Sequence, residues 1–161
     1  TLATTATDKA DGDKELAASG TVTVSDEVCY TGLAVGKEYE LTGTLMDQAT
    51  GKPFVDAEGK TVQATVKHTP TKADDCTTVD ITVDASVLAG KTTVVFEDLT
   101  RDGKTVATHA DINDEGQTVK VDSPKPTLPV TGTDAAFFGV TSLVVLGVGV
   151  TILGIRRRQL V

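Results

Sequence analysis

The sequence has no tryptophan, only four phenylalanines and two tyrosines, so that aromatics make up 4% of its 161 residues. A ligand-binding surface is expected to show an aromatic or apolar patch on its loops; here the loops are acidic, Gly-rich and nearly free of aromatics. Basic charge is scarce before the C-terminus. Residues 1–122 carry 11 Lys/Arg against 22 Asp/Glu, a net of −11, while residues 123–161 carry 4 against 1, a net of +3. That balance argues against nucleic acid and anionic lipid as partners. No Gly-x-Ser-x-Gly elbow or other substrate-site motif occurs, and no internal repeat is visible. Asparagine occurs once, at Asn113, which disfavours a Lys–Asn isopeptide; a Lys–Asp link, with Lys14 as amine donor, ranks below the chemistry described further on. The chain opens at Thr1 without methionine or signal peptide, although the reading below requires export. It is therefore expected to be the C-terminal piece of a longer secreted polypeptide.

Threonine and valine are abundant, which favours strands over helices. Period-two alternation predicts strands over residues 1–7, 21–30, 38–46, 61–68, 76–83, 92–99, 105–110 and 117–121. Residues 8–20 read as a loop and 84–90 as a short helical turn. Asp102-Gly103 and Glu115-Gly116 are hairpin-type signals. Seven or eight short strands with frequent turns predict an all-β, Ig-like antiparallel β-sandwich over residues 1–122, long enough to bury a core of its own. Cys29 and Cys76 fall in predicted strands; in an oxidising compartment they are compatible with one disulfide.

The C-terminus is organised differently. Residues 123–134 form a Pro-rich, extended linker that carries Leu128-Pro129-Val130-Thr131-Gly132. Residues 135–155 are an uncharged apolar run, and at 1.5 Å per residue a helix of that length crosses a hydrocarbon core of roughly 30 Å. Arg156-Arg157-Arg158 begins a basic tail over residues 156–161, which places the tail in the cytoplasm and the β-domain outside. This order of pentapeptide, span and arginines resembles the LPxTG sorting signal of Gram-positive surface proteins. The resemblance implies that a sortase attacks the Thr131 carbonyl, cuts the Thr131–Gly132 bond and passes Thr131 to peptidoglycan or to a pilin subunit. The chain would then be a single-pass membrane precursor that ends anchored in the cell wall.

Within the β-domain the anomalies are polar residues on apolar faces. Gln117 alternates with Val119 and Val121, Asp26 shares a face with Val28 and Tyr30, and Glu97 lies between Val94-Val95-Phe96 and Leu99. His109 ends a predicted strand, and Thr4 has Leu2 and Ala6 on its face. Buried side chains of this kind are costly unless they satisfy one another. Taken singly, each reads as a polar residue at a strand end. Together, Val94-Val95-Phe96-Glu97-Asp98-Leu99 and the run from His109 to Val119 resemble the end of the domains with intramolecular Thr–Gln ester bonds, the VaFE-repeat domains of Gram-positive adhesins and pili. Residues 26–33 and 39–45 are similar to that family's early strands, and Thr1-Leu2-Ala3-Thr4-Thr5 to its ester-forming first strand.

The resemblance implies that Thr4 is the nucleophile and Gln117 the electrophile, with Thr5 and Thr7 competing for the place of Thr4. It further implies that Asp26 and Glu97 are an acid pair sharing a proton, and that His109 moves the proton from the hydroxyl to the leaving amine. The reaction runs once per molecule, needs no cofactor or metal, and makes the chain a structural stalk module of an adhesin or pilin rather than an enzyme. Host contacts are expected through domains outboard of it. The alternatives are a domain that itself binds a host protein or glycan, an EF-hand-like loop over residues 111–122 whose flanks read as strands, and a hydrolase triad of Thr4, His109 and an acid.

Overall fold

A computed structural model describes residues 1–123, within the first of two units into which the chain divides. The expected LPVTG motif, span and basic tail lie outside the described residues. Among the described residues no helix is long and apolar enough to cross a membrane.

The described residues form ten strands: β1 (Leu2–Asp8), β2 (Glu15–Leu16), β3 (Thr21–Tyr30), β4 (Tyr39–Asp47), β5 (Lys52–Pro53), β6 (Gln63–His68), β7 (Asp75–Asp84), β8 (Thr92–Arg101), β9 (Lys104–His109) and β10 (Thr118–Val121). The only helical pieces described are two 3-10 turns, Ala85–Val87 and Glu115–Gln117. Two sheets result. The smaller is β1-β3-β7; the larger runs β2-β10-β8-β4-β5, with β6 also paired to β4 and β9 to β8. Every ladder is antiparallel except β2–β10, which is parallel.

Alternation explains which face each strand buries. In β3, Val22, Val24, Asp26, Val28 and Tyr30 are buried while the residues between them are not. In β4, Tyr39, Leu41, Gly43, Leu45 and Asp47 do the same. Val22, Val24, Val28, Tyr39, Leu41 and Leu45 join Ile81, Val95, Leu99 and Val119 in one core shared by the two sheets. Burial of such side chains contributes about 1.5–3 kcal/mol each, so the core dominates the stability of this domain.

Three local expectations are corrected. The predicted loop over residues 8–20 contains β2, because Glu15 and Leu16 find partners in Lys120 and Val121, too far along the chain for a local reading. Glu115-Gly116 is not a hairpin: it begins a 3-10 turn capped by Asp114, whose carboxylate accepts from Gly116 N. Gln117 accordingly ends that turn and does not open the last strand. The Asp102-Gly103 signal does make a hairpin, since φ is 52° and 72° at the two residues and Arg101 pairs with Lys104.

Cys29 and Cys76 face one another in the β3–β7 register and are joined as a disulfide. Closing a loop of 47 residues stabilises by about 4 kcal/mol on chain-entropy grounds.

Candidate functional site

The site begins with an interruption in one strand edge. Glu97 of β8 pairs with His109 of β9, and Val94 of β8 pairs with Thr118 of β10. Strands β9 and β10 thus lie along the same edge of β8, and only Val95 and Phe96 separate the two pairings. Opposite those two residues the partner chain makes an excursion over residues 110–117. The excursion cannot stay in the sheet, so it turns inward and delivers Gln117, fully buried, beside β8 and β1.

The Gln117 amide Nε2 donates to Asp26 Oδ2 at 3.4 Å. Asp26 is 0% exposed on β3, opposite Ala6 of β1 and Val79 of β7. Glu97, also 0% exposed, faces Asp26, carboxyl to carboxyl. Burial pushes both acids up, Asp26 to about 6 and Glu97 to about 9, and the neighbouring Asp26 charge adds to the rise at Glu97. Near neutral pH the pair therefore holds one proton, centred on Glu97, against the Asp26 carboxylate. The shared proton resolves what otherwise looks like a defect. As two anions neither acid could donate, and among the described residues no other donor reaches Glu97 Oε1, Glu97 Oε2 or Asp26 Oδ1.

Room for Glu97 comes from Gly43, its partner across β4–β8. A Cβ at Gly43 would collide with Glu97 Oε1 and stand 2.9 Å from Ile81 Cδ1 and 3.2 Å from Val79 Cγ1. The glycine is thus required for space and not for a turn. Gly43→Ala is expected to displace the Glu97 carboxyl and to cost about 1–3 kcal/mol by overpacking. Thermal melting of that variant checks this; wild-type stability with Glu97 in place would contradict it.

Thr4 lies on β1 opposite Val28, one alternation away from the Ala6–Asp26 pair and on the same face. Its Oγ1 is buried and has no hydrogen-bond partner among the described residues, and the same holds for Gln117 Oε1. The excursion packs on this strand, a Cβ on Gly116 falling 3.4 Å from Thr4 O. Thr5 and Thr7 point to the other face; Thr5 is exposed and Thr7 donates to Ser25 O at 3.4 Å.

His109, at the end of β9, is half-buried and its Nε2 bonds Asp114 Oδ2 at 2.6 Å. That hydrogen bond holds the Asp114 carboxyl below the usual carboxylate range. Asp114 therefore has two tasks: one oxygen caps the turn that ends in Gln117 and the other orients His109. Sequence reasoning left Asp114 as one acid among several in a polar run; its place five residues after His109 and three before Gln117 was the available signal. Gly43 and the contacts of Lys14, whose Nζ donates to the carbonyls of Ala6 and Gly116, were also missed. Among the described residues no group of His, Cys, Asp or Glu is placed to hold a metal ion, and Asp111 instead accepts from Asn113 N within its turn.

Thr4, Asp26, Glu97 and Gln117 thus meet in the core, with His109 and Asp114 at its margin. Residues 1–121 match the family model of the T-Q ester bond containing domain. Among solved structures, the chain resembles a bacterial adhesin from Mobiluncus mulieris containing intramolecular disulfide, isopeptide and ester bond cross-links, known in two crystal forms. In one the TM-score is 0.63 at 19% identity, over 76% of this chain and 57% of that one. In the other it is 0.61 at 20% identity, over 73% and 55%. The chain spans little more than half the length of those adhesin structures, and at such identity the likeness is one of fold. No curated protein sequence matches. A family match that takes in both Thr4 and Gln117 settles the membership: the chain belongs to the T-Q ester bond containing domains.

Proposed function

We propose that Thr4 and Gln117 of this chain form an ester that ties its first strand to its last. Thr4 Oγ1 attacks Gln117 Cδ, the Cδ–Nε2 bond breaks, and ammonia leaves. His109, oriented by Asp114, takes the hydroxyl proton and returns it to the departing amine. The neutral Glu97 polarises the Gln117 carbonyl, while Asp26 accepts from Nε2 and holds the carboxamide in place. Proton and nitrogen balance without any added reagent. The observation that carries this reading is that Thr4 Oγ1 and Gln117 Oε1 are both buried with no hydrogen-bond partner among the described residues. An orphaned hydroxyl in a close-packed core is expensive, and an ester between Thr4 and Gln117 removes it. A dry interior also protects an ester from hydrolysis. Peptide mapping is expected to recover a linked pair joining Thr4 to Gln117. Recovery of only unlinked peptides containing these residues would contradict the proposal.

The larger role we infer is a stalk module of a surface adhesin or pilin, its two sheets forming an Ig-like, VaFE-type sandwich. Support comes from the family, from the fold shared with a Mobiluncus adhesin, and from the C-terminal order of motif, apolar run and arginines. Load entering at the N-terminus and leaving toward the C-terminus passes through the ester without unzipping the strands between. Exposed large apolar side chains among the described residues are the scattered Val35, Val55 and Val106, which form no ligand platform. Sortase transfer at Thr131 then fixes the module to the wall. Cells carrying Thr131→Ala are expected to lose wall linkage and to retain the protein in membrane or medium; efficient wall linkage of that variant would refute the anchoring.

A further inference from the structure

Strand pairing does not couple β1, which carries Thr4, to β10, which directly follows Gln117. Among the described residues β1 pairs only with β3, and β10 only with β2 and β8. One side chain spans the gap. Lys14 stands directly before β2, and its backbone carbonyl accepts from Lys120 N at 2.8 Å, which seats it at the start of the β2–β10 ladder. From there its Nζ donates to two backbone carbonyls, those of Ala6 and Gly116, the second at 2.6 Å. Ala6 follows Thr4 by one alternation on the same face of β1, and Gly116 immediately precedes Gln117. The ammonium is partly buried at the point where the Thr4 strand and the Gln117 turn approach each other. Burial lowers its pKa, and the nearby Asp26 and Asp114 oppose that fall.

We propose that Lys14 is a positioning residue for ester formation: one ammonium, clamping Ala6 O and Gly116 O, holds the Thr4 hydroxyl against the Gln117 carboxamide until they react. This rests on the ester reading above. A charged donor shared by two carbonyls is stronger and more directional than a neutral contact. Methionine, unbranched and one atom shorter, fills most of the same space and leaves both carbonyls unclamped. Reactive geometry tolerates little slack, since misplacement by about 1 Å can slow a reaction roughly a hundredfold.

The test follows ammonia loss in time after cell-free synthesis of the full 161-residue chain, stopping samples with acid and reading intact mass. Lys14→Met is expected to slow cross-linking roughly tenfold to a hundredfold, and Lys14→Arg, which keeps a charged donor, to restore most of the rate. The same substitutions are also placed in a Thr4→Val background, which cannot react, and melted. A positioning role predicts a rate loss well beyond any change in melting temperature there. Equal rates for Lys14→Met and wild type in folded protein would overturn the proposal, as would a slow rate matched by an equally unstable Thr4→Val fold. A wild-type chain that loses no ammonia overturns the ester reading itself. A wild-type chain that loses water, with Lys14 in the linked peptide, makes Lys14 a reactant instead and overturns both.

Discussion

Thr4→Val is expected to melt roughly 15–25 °C below wild type. The substitution is close to isosteric and removes a buried hydroxyl that has no partner among the described residues, so by itself it is nearly neutral. What is lost is the bond. Cross-linking across roughly a hundred residues stabilises by about 4–5 kcal/mol on chain-entropy grounds, and for a domain of this size each kcal/mol moves the melting point by a few degrees. Gln117→Ala removes the same bond and also leaves a cavity where a fully buried side chain stood, so it is expected to fall at least as far. Thr5→Ala and Thr7→Ala, on the opposite face, are expected to change stability by no more than about 0.5 kcal/mol. Differential scanning calorimetry of the four variants separates these cases. A Thr4→Val melt within a few degrees of wild type would remove the basis for the cross-link as a mechanical and thermal brace.

The second large effect concerns the acid pair. Asp26 is expected to work as a carboxylate and Glu97 as a neutral acid, so the rate of ammonia loss should rise with pH through about 6, level off, and fall through about 9. Asp26→Asn and Glu97→Ala should each slow the reaction by roughly a hundredfold or more. Glu97→Gln, which can still donate but cannot titrate, should abolish the alkaline limb; persistence of that limb would assign it to another group. Stability must follow the same linkage. Both folded-state values lie above the ordinary carboxylate range, so the folded state binds protons that the unfolded chain has released. Their favourable contribution is complete below the unfolded carboxylate range and is lost as pH rises toward 6 for Asp26 and 9 for Glu97. The unreacted Thr4→Val domain should accordingly weaken steadily between acid and mildly alkaline pH.

Much of this was legible in residue order. Asp26 could be identified as inward because it shares a strand face with Val28 and Tyr30, and Glu97 because apolar residues flank it on both sides. Strands β3, β4 and β7 follow period-two alternation closely and β8 opens on a buried run, so their existence could be read within a residue or two at each end. Gln117 was legible as a buried residue but not in its setting. Its place at the end of a 3-10 turn depends on the register of β8, which offers two residues where its partner has eight, and register between distant strands leaves no local trace. The two tasks of Asp114, the space left by Gly43 and the clamp made by Lys14 are likewise consequences of tertiary contact. The two-residue strand β2 is too short to show any periodicity and exists only because β10 passes beside it.

The central claim is that Thr4 and Gln117 are covalently joined, and the most direct measurement is the intact mass of the full chain produced in a host without sortase. The cross-link predicts a mass below that of the sequence by one ammonia and, for the Cys29–Cys76 disulfide, two hydrogens. After reduction the two hydrogens should return and the ammonia should not. A folded wild-type chain whose reduced mass equals that of its sequence would contradict the account.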